Sequence, residues 1–310
     1  MAVLGALLPV YGLIALGFGL RARRFLPADF WRGAERFTYF IAFPALLFRE
    51  GAKADFGRLD AAALAVAALG PVLLAAAVAF AAAPALVRRI GGPAYSSLLQ
   101  AAIRPNTYLA LAVAAAIGGA EGPAVVAAAI VLVIPAVNVL SVVAVTRYGG
   151  AGAVAGRGAV AGVAGNPLIV ASLAGLLSGT LDVEPPAAVS ALVELLARPA
   201  LPLGLLAVGA ALRPSALLAA RGSLVCSAIG KLVVLPAVAG LLCLSVGLAG
   251  FAALTLTAYA AMPASPSSYV LARELGGDAD LMAGLITAHT VASAVTLPLV
   301  IGVTGVLLGG

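Results

Sequence analysis

An arginine, a proline and an asparagine stand together at 104–106, in the stretch AIRPNTYLA, about ten residues inside an apolar run that reaches from Ala94 to Ile117. At ~1.5 Å per residue that depth is about 15 Å along a helix, near the middle of a bilayer. An arginine there costs roughly 2.5–3.5 kcal/mol on insertion scales, and an interior proline about 3 kcal/mol more. A second stretch, MPASP at 262–266, interrupts another apolar run in the same way. Pro105 and Pro263 each remove a backbone hydrogen bond and open a helix. Asn106 is a good cap for the helix that resumes after it, and Ser265-Pro266 reads as a still better restart, with a serine cap and proline at the first helical position. Each restart presents free N–H groups and the positive end of a half-helix dipole, so a pair of such breaks suits an anion.

Other polar residues lie inside apolar runs. The central parts of the spans hold no Asp or Glu to pair with Arg104, so its partner is either a carboxylate substrate or backbone carbonyls and the membrane interface. Asn106, Tyr108 and Ser265 are placed to orient such a substrate. Lys231 is a site or gating charge, or a structural donor. Asn138, in VIPAVNVLSV, and Asn166, in GNPL, either bond across helices or line the substrate path. His289, the only histidine, is a candidate carrier of a coupling proton or a hydrogen-bonded structural imidazole. The lack of embedded carboxylates argues against a carboxylate-based proton antiporter, and leaves open sodium held by carbonyls and hydroxyls. There is no HExxH, no paired catalytic carboxylate and no Walker A, so neither an enzyme, a metal site nor a cofactor is expected.

The elements that must position these groups are membrane helices. The chain of 310 residues is 63% hydrophobic and 10% charged, against about 25% charged in soluble domains. Its net charge of +6 does not indicate nucleic acid, because the basic residues fall in short loops between apolar runs. Cys226 and Cys243 lie too far apart along one helix for a disulfide within it. Ten runs have the character of membrane spans: 3–20, 36–50, 61–87, 94–117, 123–146, 159–180, 190–211, 222–246, 249–272 and 280–306. The first reads as a span rather than a signal peptide, having no basic segment before it. The leading parts of the second and seventh, DFWRGAERFTYF and VSALVELLARPA, are amphipathic and suit the interface. Twelve basic residues fall in the loops after the odd-numbered spans or at their edges, and three in the opposite loops or at their edges. By the positive-inside rule both termini face the non-cytoplasmic side.

A shift of 158 residues carries Pro9 onto Pro167, Pro27 onto Pro185, Pro44 onto Pro202 and Pro105 onto Pro263, and Gly17 onto Gly175 and Gly51 onto Gly209. The chain therefore reads as two repeats, 1–152 and 153–310, of five spans each. An odd number of spans forces the two into opposite orientations, the plan of many secondary transporters. The expected fold is thus an all-α integral membrane protein, with spans 4 and 9 broken and crossing at mid-membrane.

The stretches FPALLF (43–48), RPNTYLAL (104–111), VIPAVNVLSV (133–142), GNPLIVASLAGLL (165–177), LPLGLLAVGAALR (201–213), KLVVLP (231–236) and PASPSSYVLARELGGDADLMAGLITA (263–288) make the chain resemble the auxin efflux carrier family, in particular its bacterial permeases. The resemblance implies crossing prolines at Pro105 and Pro263. It implies a scaffold of helices 1, 2, 6 and 7 that forms a homodimer, and a transport domain of helices 3–5 and 8–10 that moves like an elevator in the inner membrane. It also implies a small organic anion as substrate, such as indole-3-acetate in plants or malate or malonate in bacteria. The plant carriers have asparagine after both crossing prolines. Asn106 fits that pattern and Ala264 departs from it, with Ser265 next to it as a substitute. The rival readings are a sodium-coupled symporter of the bile-acid type with the same crossed helices, and a membrane sensor that binds an anion without moving it.

Overall fold

Inside lipid a helix satisfies its own backbone donors and acceptors, and no open strand can. In the computed structural model, which describes residues 2–53, 61–118, 121–149, 167–181, 183–218 and 221–308, every regular element is helical. In chain order they are α1 (Ala2–Ala22), α2 (Ala28–Phe37), α3 (Phe43–Lys53), α4 (Ala61–Ile90), α5 (Gly92–Ile103), α6 (Thr107–Gly118), α7 (Glu121–Tyr148), α8 (Pro167–Thr180), α9 (Ala187–Ala197), α10 (Ala200–Ala211), α11 (Arg221–Ile229), α12 (Leu235–Ser245), α13 (Gly250–Ala260), α14 (Ser267–Leu275) and α15 (Ala279–Leu308). A π turn, Thr38–Ala42, joins α2 to α3, and a second, Gly230–Val234, joins α11 to α12. A 3-10 turn, Pro214–Leu218, follows α10.

Five of the described stretches are long and apolar enough to cross a membrane: Ala61–Ile90, Glu121–Tyr148, Ala187–Ala211, Gly222–Ser245 and Ala279–Leu308. The expected runs 94–117 and 249–272 are each two short helices, α5 with α6 and α13 with α14, parted at the predicted prolines. The amphipathic lead of the second run is α2, set off from the apolar α3 by the π turn, whose Thr38 and Ala42 are buried. The expected boundary between repeats, the start of the sixth run and Asn166 lie outside the described residues.

Contacts recur at the 158-residue shift with the partners exchanged. Helix α1 packs on α10, and α8 packs on α3. A Cβ on Gly17 of α1 would strike the backbone of Leu206 in α10, and a Cβ on Gly175 of α8 would strike the backbone of Phe48 in α3. Gly17 and Leu206 correspond to Gly175 and Phe48 at that shift. Absent side chains let the backbones approach, which replaces the hydrophobic drive that lipid removes between helices. Helix starts recur as well: Gly92 with Gly250, and Glu121 with Ala279. One large buried core runs through α1, α3–α10 and α13 and takes in the C-terminal parts of α12 and α15. A smaller one gathers Ala101, Ala264, Ala272, Met282 and Leu285 beside the second break.

Candidate functional site

Helix α5 ends at Ile103 because Arg104 turns extended, with φ −92° and ψ 107°, as the residue before a proline does. Helix α13 ends at Ala260. The two opened segments meet as an antiparallel bridge, Pro105 opposite Ala264. The Asn106 N–H donates to the Pro263 carbonyl at 2.8 Å, and the Ser265 N–H to the Arg104 carbonyl at 3.1 Å. Each break thus supplies the backbone partners that the other lost. The prolines themselves have no N–H to leave unsatisfied.

Asn106 restarts the first helix as the sequence led us to expect. Its Oδ1 accepts from the Tyr108 N–H at 3.1 Å and the Leu109 N–H at 3.2 Å. The residue is fully buried, and its Nδ2 has no partner among the described residues. The second restart differs from expectation. Ser265 does not cap: its hydroxyl lies 2.9 Å from that of Ser267. Helix α14 follows Pro266, which is already helical and gives no side-chain cap. The Ser265 N–H is held in the bridge, and the α14 start is closed by backbone bonds, Ser268 N–H to Ser265 carbonyl at 3.0 Å and Tyr269 N–H to Pro266 carbonyl at 3.1 Å.

Arg104 sits on this joint. Its Nη1 donates to Asn138 Oδ1 at 2.9 Å and, more weakly, to Ser141 Oγ at 3.4 Å, and its Nη2 donates to Ser267 Oγ at 3.2 Å. Its Nε has no partner among the described residues. The guanidinium therefore ties α7 to α14 through neutral groups alone, with no carboxylate among these partners. A cation held so keeps its charge available to an anion, and its planar fork fits a carboxylate.

Arg104, Pro105, Asn106, Asn138, Pro263 and Ser265 thus come together. The Tyr108 ring lies on Phe43, centroids 4.2 Å apart, and Gly204 leaves the space for both rings. Lys231 and His289 form a second buried group. Lys231 is 1% exposed in the π turn before α12, which packs on α15. His289 Nε2 lies 3.1 Å from Ser227 Oγ, and its Nδ1 is unpartnered among the described residues. Ser141, Ser267 and Ser227 were not foreseen. A serine inside a helix most often bonds its own backbone, so nothing in the pattern marked them.

Helices of this apolarity around paired breaks define a multi-pass membrane protein. Residues 161–301 match the family model described as Membrane transport protein, that of the auxin efflux carrier family. No curated protein matches it at a significant level. The family is one of membrane transporters, which points away from an enzyme.

Proposed function

We propose that the protein is a secondary transporter of small organic anions, carboxylates above all, working by alternating access with the helix crossing as its site. The observation that carries this reading is Arg104, placed on the joint of two broken helices and bonded, among the described residues, to neutral Asn138, Ser141 and Ser267. A buried arginine normally pairs with a carboxylate, and here an anionic substrate takes that part. The half-helices α6 and α14 start at the same joint and add their dipole ends.

In this reading the chain crosses the membrane ten times as two inverted repeats. The exchanged glycine contacts and the recurring helix starts support that arrangement. Helices α1, α3, α8 and α10 form the scaffold, paired with a second copy, and the segments around the crossing move against it as an elevator in the cell membrane. Asn106 and Ser265 help to orient the substrate, with Lys231 and His289 placed for gating or coupling.

The test is counterflow of labelled mono- and dicarboxylates in proteoliposomes, with and without sodium. Saturable exchange that fails in the double variant Arg104→Ala with Asn106→Ala is the expected result. Saturable binding with no flux would sink the transport reading. Strict sodium dependence would favour a sodium-coupled symporter.

A further inference from the structure

On α5, Ser96, Ser97 and Gln100 share one face, spaced by three and four residues, and Arg104 closes the helix one turn further on, its N–H bonded to the Gln100 carbonyl at 2.9 Å. Ser96 Oγ donates to the Pro93 carbonyl at 2.8 Å, and Ser97 Oγ to the Asp278 carbonyl at 2.9 Å. Arg104 has the three partners described above. Gln100 alone of the four has none: it is 0% exposed, and neither Oε1 nor Nε2 meets a partner among the described residues.

A carboxamide offers two donor hydrogens and an acceptor oxygen. Leaving both ends unmet in a buried site is costly, and an apolar residue of the same shape would remove the cost. Two more unmet groups flank the same arginine. Asn106 Nδ2 lies two residues beyond it. Ser268 Oγ, fully buried, adjoins the Ser267 that Arg104 contacts, on a helix that packs against α5. Three neutral hydrogen-bonding groups close to Arg104 in sequence or packing therefore have no partner among the described residues.

We infer that Gln100 is a substrate-contact residue of the crossing site and selects carboxylates that carry a hydroxyl group beside the acid, the 2-hydroxy acids. This rests on the anion-transport reading above. Arg104 takes the carboxylate, and Gln100, one turn away, meets a neutral group that must both accept and donate. A hydroxyl is the smallest group that does so. An ammonium is disfavoured there, because it would stand beside a guanidinium that has no carboxylate among its hydrogen-bond partners in the described residues. A site built to bond a hydroxyl discriminates strongly against the analogue that lacks it.

The experiment uses the full chain in proteoliposomes with matched pairs, each a 2-hydroxy acid and its deoxy counterpart of equal carbon number, both mono- and dicarboxylic. The wild type is expected to show a KM at least tenfold lower for the hydroxy member of a pair. Gln100→Met, close in shape and without the unmet groups, is expected to stay folded and lose that preference, the KM of the hydroxy member rising to that of its deoxy counterpart. Gln100→Ala, read the same way, serves if the methionine variant does not fold. A wild type without hydroxyl preference overturns the assignment, whatever the variants do. So does a preference that survives Gln100→Met, which would leave water as the partner of Gln100, or an equal loss for both members, which would mark a structural role. A wild type that neither binds nor carries any of these acids overturns the transport reading, and this inference with it.

Discussion

Asn106 and Ala264 occupy corresponding positions in the two limbs of the crossing, and so do Arg104 and Met262. The limbs share a backbone task, since each opens a helix at a proline and bonds to the other across one bridge. Their side chains share almost nothing. The first limb carries a guanidinium and a carboxamide that caps the restart twice. The second carries a fully buried methionine and alanine, and restarts on main-chain bonds behind Pro266. A crossing symmetric in its backbone thus has one-sided chemistry. The first limb contributes charge, and the second contributes closure and, through Ser267, support for that charge.

Copying one limb onto the other tests this contrast. Arg104→Met writes Met262 into the first limb. It should lower anion uptake in proteoliposomes by about 100-fold, the scale of a lost charge-assisted contact of roughly 2.7 kcal/mol. An effect under threefold would mean that the charge does not serve the substrate. Asn106→Ala writes Ala264 into the first limb. Losing a cap costs about 0.5–2 kcal/mol, read as a lower melting temperature in detergent. No shift would show that the first restart is as self-sufficient as the second. Ser267→Ala removes one neutral partner of the guanidinium and should raise KM about fivefold, about 1 kcal/mol, the net scale of one ordinary hydrogen bond. An unchanged KM would make Asn138 and Ser141 sufficient anchors. Ser265→Ala should change stability by less than about 0.5 kcal/mol, as is usual away from caps and cores. A loss of cap size would restore Ser265 as the cap that the sequence suggested.

Much of this could be read from residue types and spacing. Apolar runs located α4, α7, α15 and the α11–α12 stretch to within a few residues, because length and hydropathy alone define a span. Proline placed both breaks, though proline alone is no sufficient signal, since Pro9, Pro71, Pro84, Pro135 and Pro298 lie inside unbroken helices; those at 105 and 263 pair at the 158-residue shift beside polar residues. The cap at Asn106 followed from its chemistry. The mistaken cap at Ser265 had a reason the sequence hides: its N–H is engaged across the joint, so its hydroxyl faces Ser267. The partners of Arg104 on α7 lie 34 and 37 residues away, a separation that no periodicity links. Tyr108 looked like a site residue by adjacency, yet the first turn of α6 carries it toward Phe43. Gln100 passed unremarked because a single amide in an apolar helix has meaning only once its surroundings prove empty of partners. The family match covers residues 161–301, whereas the charge and the cap lie in the first half, where the residues themselves had to speak.

The bridge at Pro105 and Ala264 is made from main-chain atoms only. A joint of that kind is indifferent to the side chains that decorate it, provided the prolines stay. Under the transport proposal, mutation at 104, 106, 264 or 265 can rewrite what the crossing recognises while the main-chain joint is inherited intact. In that reading the fold separates the grammar of its motion from the vocabulary of its ligands, and a lineage can change cargo without first reinventing how to carry it.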